Sequence, residues 1–178
     1  MKRTKEKQYL FFIIVLIFAL SACTSNPDFD LYEGKPLRIA VVGVPPKVKE
    51  EQVSFIKISF DEMISDNLKD YDAVFVMKEN LLEAAESQYA DFYLSSIIPV
   101  FFISTKSHVP FTEKDIEFEE SWGWAPGNSY AVGVLSLQKN HTFKHWEFGL
   151  YNDEKTDAHI EDLYSRIFKT IEENKLEL

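Results

Sequence analysis

The chain has 178 residues, 46% of them hydrophobic and 15% aromatic, with 19 Lys and Arg against 29 Asp and Glu for a net charge of −10. That is apolar material enough for one packed domain, and too much for a disordered stalk. The acidic balance argues against a nucleic-acid binder and against a patch that seeks anionic lipid headgroups, since both are held by clustered Lys and Arg.

Residues 1–7, Met-Lys-Arg-Thr-Lys-Glu-Lys, form a basic head, and an unbroken apolar run follows over residues 9–20. Those 12 residues make about 18 Å of helix at ~1.5 Å per residue, whereas a bilayer core needs about 20 apolar residues. The run is too short to span and has the length of a signal-peptide core. Leu20-Ser21-Ala22-Cys23 comes next and ends on the one cysteine in the chain. This stretch resembles the lipobox of bacterial lipoproteins, and the resemblance covers the first 23 residues only. It implies that residues 1–22 are a removed signal peptide. It also implies that Cys23 becomes the acylated first residue, carrying a diacylglyceryl group that holds the protein on the extracytoplasmic side of a membrane. Two acyl chains anchor stably where one would not.

Lipidation of Cys23 would leave the processed chain with no thiol, and so without disulfides, thiolate catalysis or cysteine metal sites. The first 22 residues carry four of the 19 Lys and Arg and one of the 29 Asp and Glu. The remaining 156 residues therefore hold 15 basic and 28 acidic side chains, a formal charge of −13. Residues 23–35 read as a lipidated tether, and residues 36–178 as a single domain.

Within that domain, Leu-Arg-Ile-Ala-Val-Val from Leu37 is a β-rich apolar run stopped by Gly43 and Pro45-Pro46. Residues 54–59 make a weaker strand interrupted by Lys57, as an edge strand would be. Ser59-Phe-Asp-Glu62 has capping-box spacing and leads a helical stripe of Phe60, Met63, Ile64 and Leu68. Residues 72–77 form a third strand. Asn80-Leu-Leu-Glu83 opens a longer helix with Leu82, Ala85, Tyr89 and Phe92 on one side. Residues 98–103 form a fourth strand, with Pro99 near its start.

The second half changes character. Thr112-Glu-Lys-Asp115 can start a helical turn, and Ile116-Glu-Phe-Glu119 alternates like a strand. Residues 130–137 and 143–151 pattern as a hairpin about residues 138–141, with Trp146, Phe148 and Leu150 on one face. Ile160, Leu163, Tyr164, Ile167, Phe168 and Ile171 form the strongest helical stripe, capped by Thr156 or Asp157. Strands alternating with helices predict a three-layer α/β fold around a mostly parallel sheet of order 2-1-3-4, with a C-terminal hairpin and a closing helix.

Ligands of open α/β sheets bind beyond the carboxyl ends of the strands. That rule selects residues 44–47, Asp61 and Glu62, and the rim Lys78, Glu79, Lys106, Ser107 and His108. Lys78, Lys106 and His108 are the natural anion contacts there. No glycine pattern for a phosphate loop or a dinucleotide fingerprint occurs, so no cofactor is expected. His145 and Glu147 share one strand face as a candidate metal or acid–base pair, but a surface pair is the favoured reading and no metal is expected. Asp115, Glu117, Glu119 and Glu120 form an acidic cluster without the glycine a calcium loop needs, which reads as a solvated face. Trp122-Gly-Trp124-Ala-Pro-Gly127 offers two indoles either to a partner or to the end of the sheet, and Trp122 and Trp124 are the candidate partner contacts.

The expected function is a membrane-anchored binding or interaction module for an envelope protein or ligand. The alternative is an envelope hydrolase at the strand ends, with His108 or an acid as general base and no positioned nucleophile in sight. Enzyme activity is the less favoured of the two.

Overall fold

The computed structural model describes residues 29–65, 68–137 and 142–175. The signal peptide, Cys23, the start of the tether and the hairpin loop at 138–141 lie outside the described residues. The strands are β1 (Leu37–Val42), β2 (Val53–Lys57), β3 (Ala73–Val76), β4 (Val100–Ile103), β5 (Ser129–Leu137) and β6 (Thr142–Gly149). The helices are α1 (Phe60–Ser65), α2 (Leu81–Ala84), α3 (Ser87–Ser95), α4 (Val109–Thr112) and α5 (Asp157–Lys175), joined by short 3-10 turns.

All six strands form one sheet of order β2-β1-β3-β4-β5-β6. β2, β1, β3 and β4 pair in parallel, whereas β5 and β6 are antiparallel to their neighbours. This corrects the expectation in two respects: the order runs over six strands and not four, and the sheet is mixed, not mostly parallel. The cause lies between β4 and β5. A parallel β5 needs a crossover that returns along the sheet, usually a helix. The connection after β4 holds only the four-residue α4 and a 3-10 turn. The chain therefore turns back at the same end, and β5 runs antiparallel.

Burial follows the pleat. Ile39, Val41, Phe75, Phe101 and Ile103 face α5, whose Leu163, Tyr164, Ile167, Phe168 and Ile171 complete one core. Ala40, Val42, Val74, Val76, Val100 and Phe102 face the other way, against Phe60, Met63, Leu81, Tyr89, Tyr93 and Phe111 from the shorter helices. Both faces of β1, β3 and β4 are thus covered, which is why these strands are almost continuously apolar.

Local signals hold at both helix starts. Ser59 N–H donates to Glu62 Oε2 at 2.7 Å and Glu62 N–H donates to Ser59 Oγ at 3.2 Å, a reciprocal capping box that keeps the Glu62 carboxyl below its usual range. Thr156 caps α5 by accepting the His159 N–H at 3.2 Å. Elsewhere the pattern misleads. The stretch expected as one helix from Asn80 is two, α2 and α3, so Leu81, Ala84, Tyr89 and Tyr93 point inward. Leu82 is left 71% exposed. α4 ends at Thr112, and Ile116–Glu119 pairs with no strand, its Phe118 instead packing on Phe111 with ring centroids 5.7 Å apart.

The stretch expected as the end of the tether, residues 29–35, packs along α5 as a strap and sends Tyr32 into the core beneath it. Phe29 meets Tyr151 and His159 edge-on at 5.5 and 5.7 Å. Tyr32 is 2% exposed and packs its ring at a tilt against Phe168, with centroids 5.9 Å apart. Lys35 N–H donates to Glu172 at 3.2 Å.

The tightest constraint inside the sheet is Gly133 on β5. A Cβ there would come within 2.4 Å of Phe101 Cε1 and 3.1 Å of Trp146. The two rings stack at 6.0 Å and take the space a side chain would need. Gly133→Ala is expected to cost about 1–3 kcal/mol of stability in urea denaturation, the usual penalty for overpacking. Adding Phe101→Leu should return part of that loss, and strict additivity of the two changes would contradict the contact.

Candidate functional site

The carboxyl ends of β1 and β3 lie where the chain divides between the two faces of the sheet. After β1 the chain passes to the α5 side, where Val48 packs. After β3 it passes to the other side, where Leu81 and Ala84 pack. This is the switch point at which open α/β sheets leave a crevice. Here the protein fills it with its own groups. Gly43 has φ +117°, and a Cβ there would lie within 2.7 Å of Glu79 Oε1 and 2.6 Å of Asn80 Nδ2. The Glu79 carboxylate accepts the Val44 N–H at 2.7 Å, and the Asn80 amide donates to the Val42 carbonyl at 3.3 Å. Glu79 thus occupies the amide that an anionic ligand of the loop would seek.

Two open clefts flank the exposed Val44. One, of about 510 Å³, lies between residues 44–47 and the first turns of α5, with Asp157, Ile160 and Tyr164 on its far wall. The other, of about 420 Å³, lies between Gly43 and residues 57–61, where Lys57, Asp61 and Glu83 supply its charge.

The remaining rim residues turn elsewhere. Lys78 is exposed in the turn after β3. The Lys106 ammonium stands 5.6 Å from the Trp122 ring centroid, and its backbone N–H donates to the Trp122 carbonyl at 3.0 Å. Ser107 Oγ accepts the Val109 N–H at 3.2 Å and is spent on starting α4. His108 faces β6, its ring 5.3 Å from Phe143 and 4.8 Å from His145. Glu79 and His108 therefore look in different directions and do not share a crevice.

The tryptophan loop is tied to the end of β4. Thr105 pairs with Gly123 in an isolated antiparallel bridge, and Thr105 Oγ1 donates to the Trp122 carbonyl at 3.0 Å. Trp124 N–H donates to the Ser104 carbonyl at 3.1 Å. The Trp124 ring packs edge-on against Tyr130 at 5.6 Å and joins the α5-side core, half-buried, with Lys155 over it at 5.8 Å. Trp122 is half-buried under Lys106. Both indoles spend part of their surface on the protein itself.

His145 and Glu147 share an exposed face of β6, where Ser129 Oγ donates to Glu147 at 3.1 Å. The structure adds His108 to that face, a neighbour 37 positions away in the sequence that strand patterning has no means to supply. No group of three or more His, Cys, Asp or Glu side chains placed to hold a metal occurs among the described residues.

A second residue invisible in the sequence is Glu50, at the end of a polar run and only 5% exposed. It accepts the Tyr32 N–H at 3.4 Å, the Lys49 N–H at 3.1 Å and the Ser165 hydroxyl. One carboxylate thereby ties the strap and the β1–β2 connection to α5, with Lys49–Glu161 at 2.7 Å beside it. Its role is structural.

Burial holds the His108 imidazole below its ordinary value of 6.5, and His145 lowers it further, while Glu147 and Glu113 pull weakly the other way. Its Nδ1 is buried without a hydrogen-bond partner. Because the fold favours the neutral ring, its contribution to stability is complete above pH 6.5 and is lost as pH falls from there through the lowered folded value. His108→Phe is expected to reduce the loss of urea stability between about pH 7 and pH 5 relative to the parent protein. An unchanged slope would contradict this environment for His108.

Against known proteins, no family model, no curated protein and no solved structure matches this chain.

Proposed function

We propose that this protein is a membrane-anchored extracytoplasmic lipoprotein whose α/β domain acts as a binding module for an envelope protein or ligand. The observation that carries the reading is the order of basic head, short apolar run and Leu20-Ser-Ala-Cys23. No helix among the described residues is long and apolar enough to cross a membrane. The packing of the strap supports a close tether. Only residues 24–28 separate Cys23 from Phe29, the first residue held against the domain. Fully extended, that connection reaches about 21 Å at ~3.5 Å per residue.

The rim is not arranged for hydrolysis. Its carboxylate and hydroxyl are engaged with backbone N–H groups, Glu79 on Val44 and Ser107 on Val109. Among the described residues no nucleophile is paired with His108, whose ring neighbours are Phe143 and His145.

Cys23→Ala should leave unprocessed precursor and abolish incorporation of a clickable palmitate analogue in the producing cells. A substituted protein that is still cut after Ala22 and retained on the membrane would overturn the anchor.

A further inference from the structure

Splitting the stretch after β3 into α2 and α3 leaves Leu82 with no place in the core. It is the most exposed large apolar side chain among the described residues, at 71%. Leu82 is not alone on the surface. Together with Ala85 it forms one wall of an open groove of about 620 Å³, and Ile116 and Phe118 form the other. Phe118 is half-buried and fixed from beneath by Phe111, so the groove floor rests on a packed base.

The edges of this groove are acidic. Glu86 stands on the Leu82 side and Asp115 and Glu117 on the other. Glu83, one residue after Leu82, and Glu119 and Glu120, just past Phe118, are exposed as well. The one cation in the lining, Lys114, is bound to Asp91 at 2.8 Å. A mostly polar groove that sets Leu82, Ile116 and Phe118 among carboxylates is complementary to a segment that alternates apolar and basic side chains. The groove also lies on the face of the sheet away from α5, whereas the strap packs on the α5 side.

We infer that the groove between Leu82 and Phe118 is the docking surface of the module, and that it receives a basic amphipathic segment of a protein partner. The inference rests on the binding-module reading above. The partner's apolar side chains cover Leu82, Ile116 and Phe118, and its Lys or Arg side chains face Glu86, Asp115 and Glu117 across a partly desolvated rim, where opposite charges set orientation and raise the association rate.

The test uses the processed, lipidated protein in zwitterionic detergent micelles. The probe is a 14-residue amphipathic peptide of Lys and Leu carrying one benzophenone, with empty micelles as background. Photocrosslinks are expected at residues 82–87 and 114–118, and anisotropy should show at least tenfold weaker binding to Leu82→Asp and to the Glu86→Lys, Glu117→Lys double variant. Ile64→Asp, at an exposed position of α1 outside the groove, should bind within twofold of the parent. Crosslinks scattered over the acidic surface, equal binding by Leu82→Asp, or no binding above empty micelles would each overturn the groove assignment. None of these results alters the processing of Cys23, so failure of the groove and failure of the lipoprotein reading remain distinct.

Discussion

Everything else in this fold depends on one helix covering one whole face of the sheet. α5 sets Tyr164 and Phe168 over Phe75, with ring centroids at 6.0 and 6.3 Å, and buries Leu163, Ile167 and Ile171 beside them. Each such side chain contributes about 1.5–3 kcal/mol on full burial, so this single helix supplies a large share of the core. The strap, the β1–β2 connection and the turn after β6 are arranged around it. Phe29 lies on the His159 turn, Glu50 on Ser165, and Gly149 presents its carbonyl to Arg166 at 2.7 Å. With the processed chain lacking a thiol on the lipoprotein reading, no cross-link shares this load.

The opposite face is covered differently, and the difference bears on function. Four short helices cover it piecewise, with Tyr93, Phe102 and Phe111 interlocked at 4.9 and 3.8 Å. Piecewise covering leaves seams between elements. One seam, between the α2–α3 junction and residues 114–118, carries the exposed Leu82 and the acidic rim. The strap, by contrast, runs on the α5 side. The strap and the groove thus lie on opposite faces of the sheet.

The elements legible in the sequence are those whose cause is local. Continuous apolar runs gave away β1, β3 and β4, a 3.6-residue stripe gave away α5, and Ser59 with Glu62 marked the start of α1. The hairpin pattern was legible, but its place in the same sheet was not, because that depends on Gly133 admitting Phe101 and Trp146. Leu82 misled because its spacing to Ala85 and Tyr89 fits one continuous helix, which the turn at Glu86 breaks. Ile116 and Phe118 alternate with acids as a strand does, yet the segment joins no sheet and Phe118 packs on Phe111 instead. The strand-end rim residues follow one another along the sheet edge but do not converge on one site. Which way Glu79 and His108 turn is decided by Val44 and His145, residues 35 and 37 positions away. Glu50 was missed for the same reason, since its partner Ser165 is 115 positions distant.

On the proposed reading the domain meets its partner at the Leu82 groove, on the face of the sheet away from α5. The most direct measurement is site-specific photocrosslinking in intact producing cells, with p-benzoylphenylalanine placed at Leu82 in one strain and at Val44 in another. Both positions are exposed, at 71% and 67%, so reactivity alone does not separate them. A discrete adduct of defined mass is expected from position 82, lost with Glu86→Lys and Glu117→Lys, and no such adduct from position 44. The same adducts from both positions, or an adduct from position 44 alone, would contradict it.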